Sequence, residues 1–286
     1  MSRIDAIFER LRGKGRKALM PFVTAGDPSI AATAEVLLAL EGSGASVVEL
    51  GIPFSDPIAD GPVIQASMQH ALDEGATVEG VFEMVASVRD RLSLGLVAMV
   101  SYSIVHRLGL EAFVGRAAES GFDGLIFPDL SLEEAEAAGG ACEVAAGAGL
   151  SLAMLVAPTT PIERAERIAA ASSGFVYVVS RAGITGARTE LPAGLGERLE
   201  RLRGVTQTPL AVGFGVSTAE QVCAVVGAGI PTEVGTPKAG RGAGADAVIV
   251  GSALVDRIAA TRGEAASVTA GVAGEFVRGL AVGLGD

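Results

Sequence analysis

Hydrophobic and polar positions alternate along the 286 residues in a repeating way. Short, continuously apolar runs, most of them rich in β-branched residues, occur at 18–23, 47–50, 96–100, 125–127, 152–156, 175–179, 210–212 and 247–250. Runs of this kind suit strands buried on both faces. Between them lie segments with apolar residues at helical spacing, at 31–40, 78–91, 111–119, 133–146, 162–171, 195–202 and 219–226. Another helix is predicted from Pro62 through Ile64, Met68 and Leu72, because a proline is well placed in a first turn. Ahead of the first strand, Ile4, Ile7, Phe8 and Leu11 recur at i, i+3, i+4 and i+7, which predicts a short amphipathic helix ended by Gly13 and Gly15.

Strand then helix, repeated, implies a parallel sheet with right-handed crossovers, and eight repeats favour closure over an open sheet. The expected fold is α/β: a single (β/α)8 TIM barrel spanning 1–286. One segment breaks the rhythm. Residues 228–244, AGIPTEVGTPKAGRGAG, are Gly- and Pro-rich without period and read as an insertion before the last strand. A helix-to-strand join lies on the bottom face, away from chemistry at the strand C-termini.

The second strand carries the first chemical signal. Glu49 interrupts the apolar run of Val47, Val48, Leu50 and Ile52. Burying a lone carboxylate is costly, so such a group is either paired or has its pKa pushed upward, and a raised pKa suits an acid/base catalyst. The loop that follows, GIPFSDPIADGP, adds Asp56 and Asp60. A strand acid and a second acid eleven residues on, at the same end of the sheet, are able to close over a small substrate. Taken alone, Glu49 also reads as a strand residue reaching water, and both aspartates as turn formers.

Composition narrows the setting. Hydrophobic residues make up 49% and aromatics 4%, with no Trp, so the core is built from Val, Leu, Ile and Ala. A net charge of −11 argues against nucleic acid and anionic membrane surfaces as partners. Cys142 and Cys223 form no metal or redox pattern and read as two buried thiols in a reducing compartment. The start of the chain has no apolar core of signal-peptide length and no run reaches about 18 apolar residues, so a cytoplasmic protein is expected.

Three Gly-rich turns follow the last three strands: 180–186, 212–217 and 250–253. Barrels often bind phosphate there, on converging backbone N–H groups and a helix N-terminus.

The stretch VVELGIPFSDPIADGP resembles the signature of the tryptophan synthase alpha chain family, and SRAGITG, GFGVS and GSALV resemble its later elements. The family is a (β/α)8 barrel with an N-terminal helix closing the bottom. It cleaves indole-3-glycerol phosphate to indole and glyceraldehyde 3-phosphate, a step in tryptophan biosynthesis. The resemblance implies Glu49 as the proton-transfer catalyst and Asp60 as the group holding the indole N–H. It also implies Gly186, Gly215, Gly251 and Ser252 as phosphate contacts, and Thr185 as the loop residue that meets Asp60. Phe22, Tyr177, Val179, Phe214 and Ile249 are placed to line an apolar pocket or to be barrel core. No cofactor is expected in this chain; pyridoxal phosphate belongs to a beta chain, with which the family forms an alpha2beta2 heterotetramer.

The chain departs from the family after strand 3. The usual M-x-Y-x-N is Met99-Val100-Ser101-Tyr102-Ser103 here, with Tyr102 one position from where a tyrosine stands in the family. Elimination points to acid/base chemistry as well. Lys14 and Lys17 precede strand 1 and Lys238 lies in the insertion, so no Schiff-base lysine is in place. His70 and His106, the two histidines, show no metal-ligand spacing. A lyase independent of a beta chain and a non-catalytic barrel that activates a partner are the alternatives.

Overall fold

The computed structural model describes residues 1–57, 60–180, 194–213, 215–227 and 244–285. Among these residues nine strands form one parallel sheet: β1 (Ala18–Thr24), β2 (Val47–Gly51), β3 (Gly95–Met99), β4 (Gly124–Ile126), β5 (Ser151–Leu152), β6 (Leu155–Val156), β7 (Val176–Val179), β8 (Leu210–Gly213) and β9 (Ala247–Val250). Their order is β5-β4-β3-β2-β1-β9-β8-β7-β6. The two ends of that order are halves of one predicted strand, parted only by Ala153 and Met154, so the chain itself closes the cylinder. Across the gap, Ala153 N donates to Leu125 O at 3.0 Å and Tyr177 N donates to Met154 O at 3.0 Å. The amides of Leu152 and Met154 donate to the hydroxyls of Ser173 and Ser172, at 2.9 and 3.3 Å.

Strand side chains alternate in direction, and the apolar runs therefore feed two cores. Leu19, Val23, Val48, Leu50 and Leu96 face the helices, whereas Met20, Val97, Ile126, Tyr177 and Ile249 fill the barrel. The first helix, α1 (Arg3–Gly13), opens with a capping box between Ser2 and Asp5. Its Ile4, Ile7 and Phe8 join the barrel core. A Cβ at Gly95, the first residue of β3, would lie 2.5 Å from Ile4 Cδ1, so α1 stoppers the end where strands begin. The opposite end, where strands finish, stays available for chemistry.

The predicted helix at 133–146 is broken into Leu132–Ala135 and Ala141–Gly147. Gly139 takes φ +70°, and a Cβ at Gly140 would come within 2.6 and 2.7 Å of the carbonyl oxygens of Glu134 and Ala135. Both glycines enforce the break. Helices at Tyr102–Leu108, Ser252–Ala259 and Ala266–Ala281 add to those expected. Cys142 is half-buried and Cys223 exposed on helix Ala219–Val226, so the expectation of two buried thiols fails. Of the insertion at 228–244, all but Gly244 lies outside the described residues. No described helix is long and apolar enough to cross a membrane.

Candidate active site

Glu49 sits at the centre of β2, in register with Phe22 of β1 and Val97 of β3. It has no exposed surface. Neither carboxylate oxygen has a hydrogen-bond partner among the described residues. Burial alone pushes its pKa well above the ordinary 4.5, so the group holds its proton where a surface glutamate has lost it.

Asp60 comes from the loop that joins β2 to helix Pro62–Asp73. Its amide donates to Pro57 O at 3.0 Å, and its carbonyl accepts from Gln65 Nε2 at 2.7 Å. Gln65 thus ties the loop to the first turn of a helix that starts on Pro62. Burial raises the Asp60 pKa from 3.8 to about 6. Asp56 is exposed.

Tyr177 of β7 is buried on the inward face of the barrel. Its phenol is held un-ionised by burial first, then by the charges of Glu49 and Asp60. A Cβ at Gly213 would stand 2.7 Å from the Tyr177 ring, which explains a glycine at the end of β8. Phe22 closes the other side. A Cβ at Gly51 would meet its Cζ at 2.5 Å, and the ring packs with Ile64, Met68 and Val255. Val179 is half-buried and Ile249 buried, both on the inward period with Tyr177. Met99, absent from the expected lining, packs against both the barrel core and the Phe22 cluster. Its alternation with inward-facing Val97 was the available signal.

The turns expected to hold phosphate after the last two strands lie at neighbouring strand ends, because β8 and β9 pair directly. Gly215 adopts φ +88° just past β8. Gly251 precedes helix Ser252–Ala259 and its carbonyl accepts from Leu254 N and Val255 N. That leaves the first amides of the helix, Ser252 among them, with no acceptor within the helix. Thr185, Gly186 and Phe214 lie outside the described residues, as does Arg181.

The altered stretch after β3 is also built differently. Ser101 Oγ donates to Asp129 Oδ2 at 2.7 Å and Tyr102 N donates to Asp129 Oδ1 at 2.7 Å. Ser101 caps helix Tyr102–Leu108. The Tyr102 ring packs on Phe127, with centroids 5.7 Å apart, among residues of the helix layer. It does not replace a pocket tyrosine.

The family model described as tryptophan synthase alpha chain matches residues 8–277. A tryptophan synthase alpha chain from Synechococcus sp. is 46% identical over 258 residues, covering 90% of this chain and 89% of the relative. The solved alpha subunit from Legionella pneumophila superimposes with a TM-score of 0.84 at 33% identity, covering 99% of this chain and 98% of that one. A chain of the tryptophan synthase a2b2 complex from Pyrococcus furiosus gives 0.80 at 36% identity, covering 93% and 98%.

Proposed function

The chain belongs to the tryptophan synthase alpha chain family, and from that premise we propose that Glu49 and Asp60 cleave indole-3-glycerol phosphate to indole and glyceraldehyde 3-phosphate. The observation that supports this reading is a wholly buried carboxyl group, Glu49, with no hydrogen-bond partner among the described residues, on the strand whose following loop carries a second half-buried acid, Asp60.

Glu49, protonated, donates to C3 of the indole and makes an electron-poor indolenine. The bond between C3 and the side chain then breaks, its electrons returning to the ring. The carbon left behind becomes the aldehyde as its hydroxyl proton passes to the ionised Glu49, which restores the acid. Asp60, accepting from the indole N–H, stabilises the positive charge that grows on that nitrogen. Phe22, Tyr177, Val179 and Ile249 border the indole, with Phe214 as a further lining residue. Gly215, Gly251 and Ser252 take the phosphate on backbone amides, together with Gly186, while Thr185 meets Asp60.

Pyridoxal phosphate is assigned to a beta-chain partner that consumes the indole. Lys14 and Lys17 lie beside the stoppered end of the barrel, so neither suits that cofactor. The same reading takes 1–286 as one barrel unit of the cytoplasm, with 228–244 as an insertion.

The test is indole release from indole-3-glycerol phosphate, by the chain alone and with a tryptophan synthase beta chain. A slow rate that rises strongly with the beta chain is expected. A fast rate indifferent to it would replace the coupled subunit with a self-sufficient lyase, a reading that Ser101 and Ser103 favour. No rate in either mixture would reject the activity.

A further inference from the structure

Asp27, three residues beyond β1, has a side chain with no exposed surface. Arg262 grips it from one side, Nε donating to Oδ1 at 2.9 Å and Nη2 to Oδ2 at 2.8 Å. Ser67 Oγ donates to Oδ2 at 2.5 Å from the other side. His70 Nδ1 stands 3.1 Å from Oδ1, an ion-pair distance without hydrogen-bond alignment. Gly26 makes this possible. At φ +92° its backbone lies against helix Pro62–Asp73 and the residues after it, where a Cβ would meet those of Ala71 and Ala76 at 3.2 and 2.6 Å.

The donors belong to two helices with separate duties. Ser67 and His70 lie on helix Pro62–Asp73, which starts two residues after Asp60 and holds it through Gln65. Arg262 continues the turns of helix Ser252–Ala259, whose first residue is the phosphate contact Ser252. Toward the mouth the two helices share an apolar cluster of Phe22, Ile64, Met68 and Val255. Apolar contact is non-directional and leaves sliding and rotation open. The Asp27 clamp is directional and removes that freedom. At about 1.5 Å per helical residue, Ser67 lies roughly 10 Å from Asp60 and Arg262 roughly 15 Å from Ser252, so each helix is a short rigid lever.

We propose that Asp27 is a positioning residue that sets the separation between the indole-holding acid and the phosphate-binding helix. The inference rests on the lyase reading. It predicts that loosening either arm of the clamp alone disturbs only the end that arm governs.

Ser67→Ala releases the Asp60 lever and Arg262→Gln the phosphate lever. The measurements are kcat and KM for indole-3-glycerol phosphate with a beta chain present, and the Kd of the chain for inorganic phosphate, below the melting temperature of each variant. Ser67→Ala is expected to lower kcat about tenfold with phosphate affinity nearly unchanged, in line with the sensitivity of rate to sub-ångström misplacement. Arg262→Gln is expected to raise KM and the phosphate Kd about fivefold to tenfold, with the smaller effect on kcat. Asp27→Asn should show both effects, and Arg262→Lys should recover most of the phosphate affinity. Variants that melt earlier yet keep kcat, KM and phosphate Kd at parental values would overturn the proposal. If the parent cleaves nothing, the lyase reading fails, and the phosphate Kd of Arg262→Gln and Asp27→Asn still decides the clamp.

Discussion

Replacing Glu49 by Gln exchanges the carboxyl for an amide of the same size in a site with no exposed surface. The consequence for stability is a slope rather than an offset. Because burial raises the folded pKa well above 4.5, the folded chain binds this proton more tightly than the unfolded chain does. The Glu49 contribution to stability therefore falls with rising pH from 4.5 up to its folded pKa, by about 1.4 kcal/mol per pH unit. Glutamine has no proton to lose. The amide is as poorly partnered as the acid, which adds a penalty of about 1–3 kcal/mol that does not change with pH. Tyr177, whose phenol the Glu49 charge also pushes up, stays un-ionised across this range in both chains, and Asp60 owes its shift to burial alone, so the other groups cancel in the difference. Urea unfolding of both proteins at a series of pH values above 4.5 should thus show Glu49→Gln gaining on the wild type, by up to about 1.4 kcal/mol per unit until the folded pKa of Glu49 is passed, with equal m-values. Turnover should drop by about 10²-fold or more, the scale of general acid–base catalysis. A stability difference that is flat with pH, or a variant that keeps most of its turnover, would refute the argument from burial.

Four other outcomes are expected. The kcat/KM of the wild type should fall as pH drops through about 6, where Asp60 takes up the proton that blocks its acceptor role, and Asp60→Asn should abolish that limb as well as lowering the rate. Gly213→Ala places a methyl 2.7 Å from the Tyr177 ring and should reduce turnover more than it reduces melting temperature, as paired kinetic and thermal measurements would reveal. Ile4→Ala empties part of the stopper under the barrel and should cost about 2–5 kcal/mol in urea unfolding, with the kcat of folded protein unchanged. Ser101→Ala loses a helix cap and the bond to Asp129, a loss of about 1 kcal/mol that should leave the turnover of the isolated chain intact.

Much of this molecule was readable from spacing. The β-branched runs around Val47 and Val176 announce strands because both their faces are buried, one by the barrel and one by helices. Glu49 and Asp60 were legible for the opposite reason, as charges where the pattern has no room for them. The division of the fifth strand was not legible, since Ala153 and Met154 are as apolar as their neighbours and only ladder bonds reveal the gap. The broken helix at 133–146 was missed because the pattern continued through Gly139 and Gly140, while backbone geometry stopped the helix there. Tyr102 stands one position from where the family has a tyrosine, yet beside the cap made by Ser101 and Asp129 its ring packs on Phe127. Asp27 gave no sign of its role, because its partners stand 40 and 235 positions away in the chain.

The interrupted strand also bears on how the protein behaves in a crowd. A closed cylinder offers neighbours no row of unpaired amides, and so no template on which a foreign strand could add. A weak point is the stretch around the β5–β6 break, where one bond on each side keeps the pairing and the amides of Leu152 and Met154 donate to serine hydroxyls. Ser172 and Ser173 thus darn a place where the barrel could fray. Removing both hydroxyls would turn a seam into a pair of sticky margins, and self-association during refolding, rather than lost catalysis, is the fault to which such a chain would be prone.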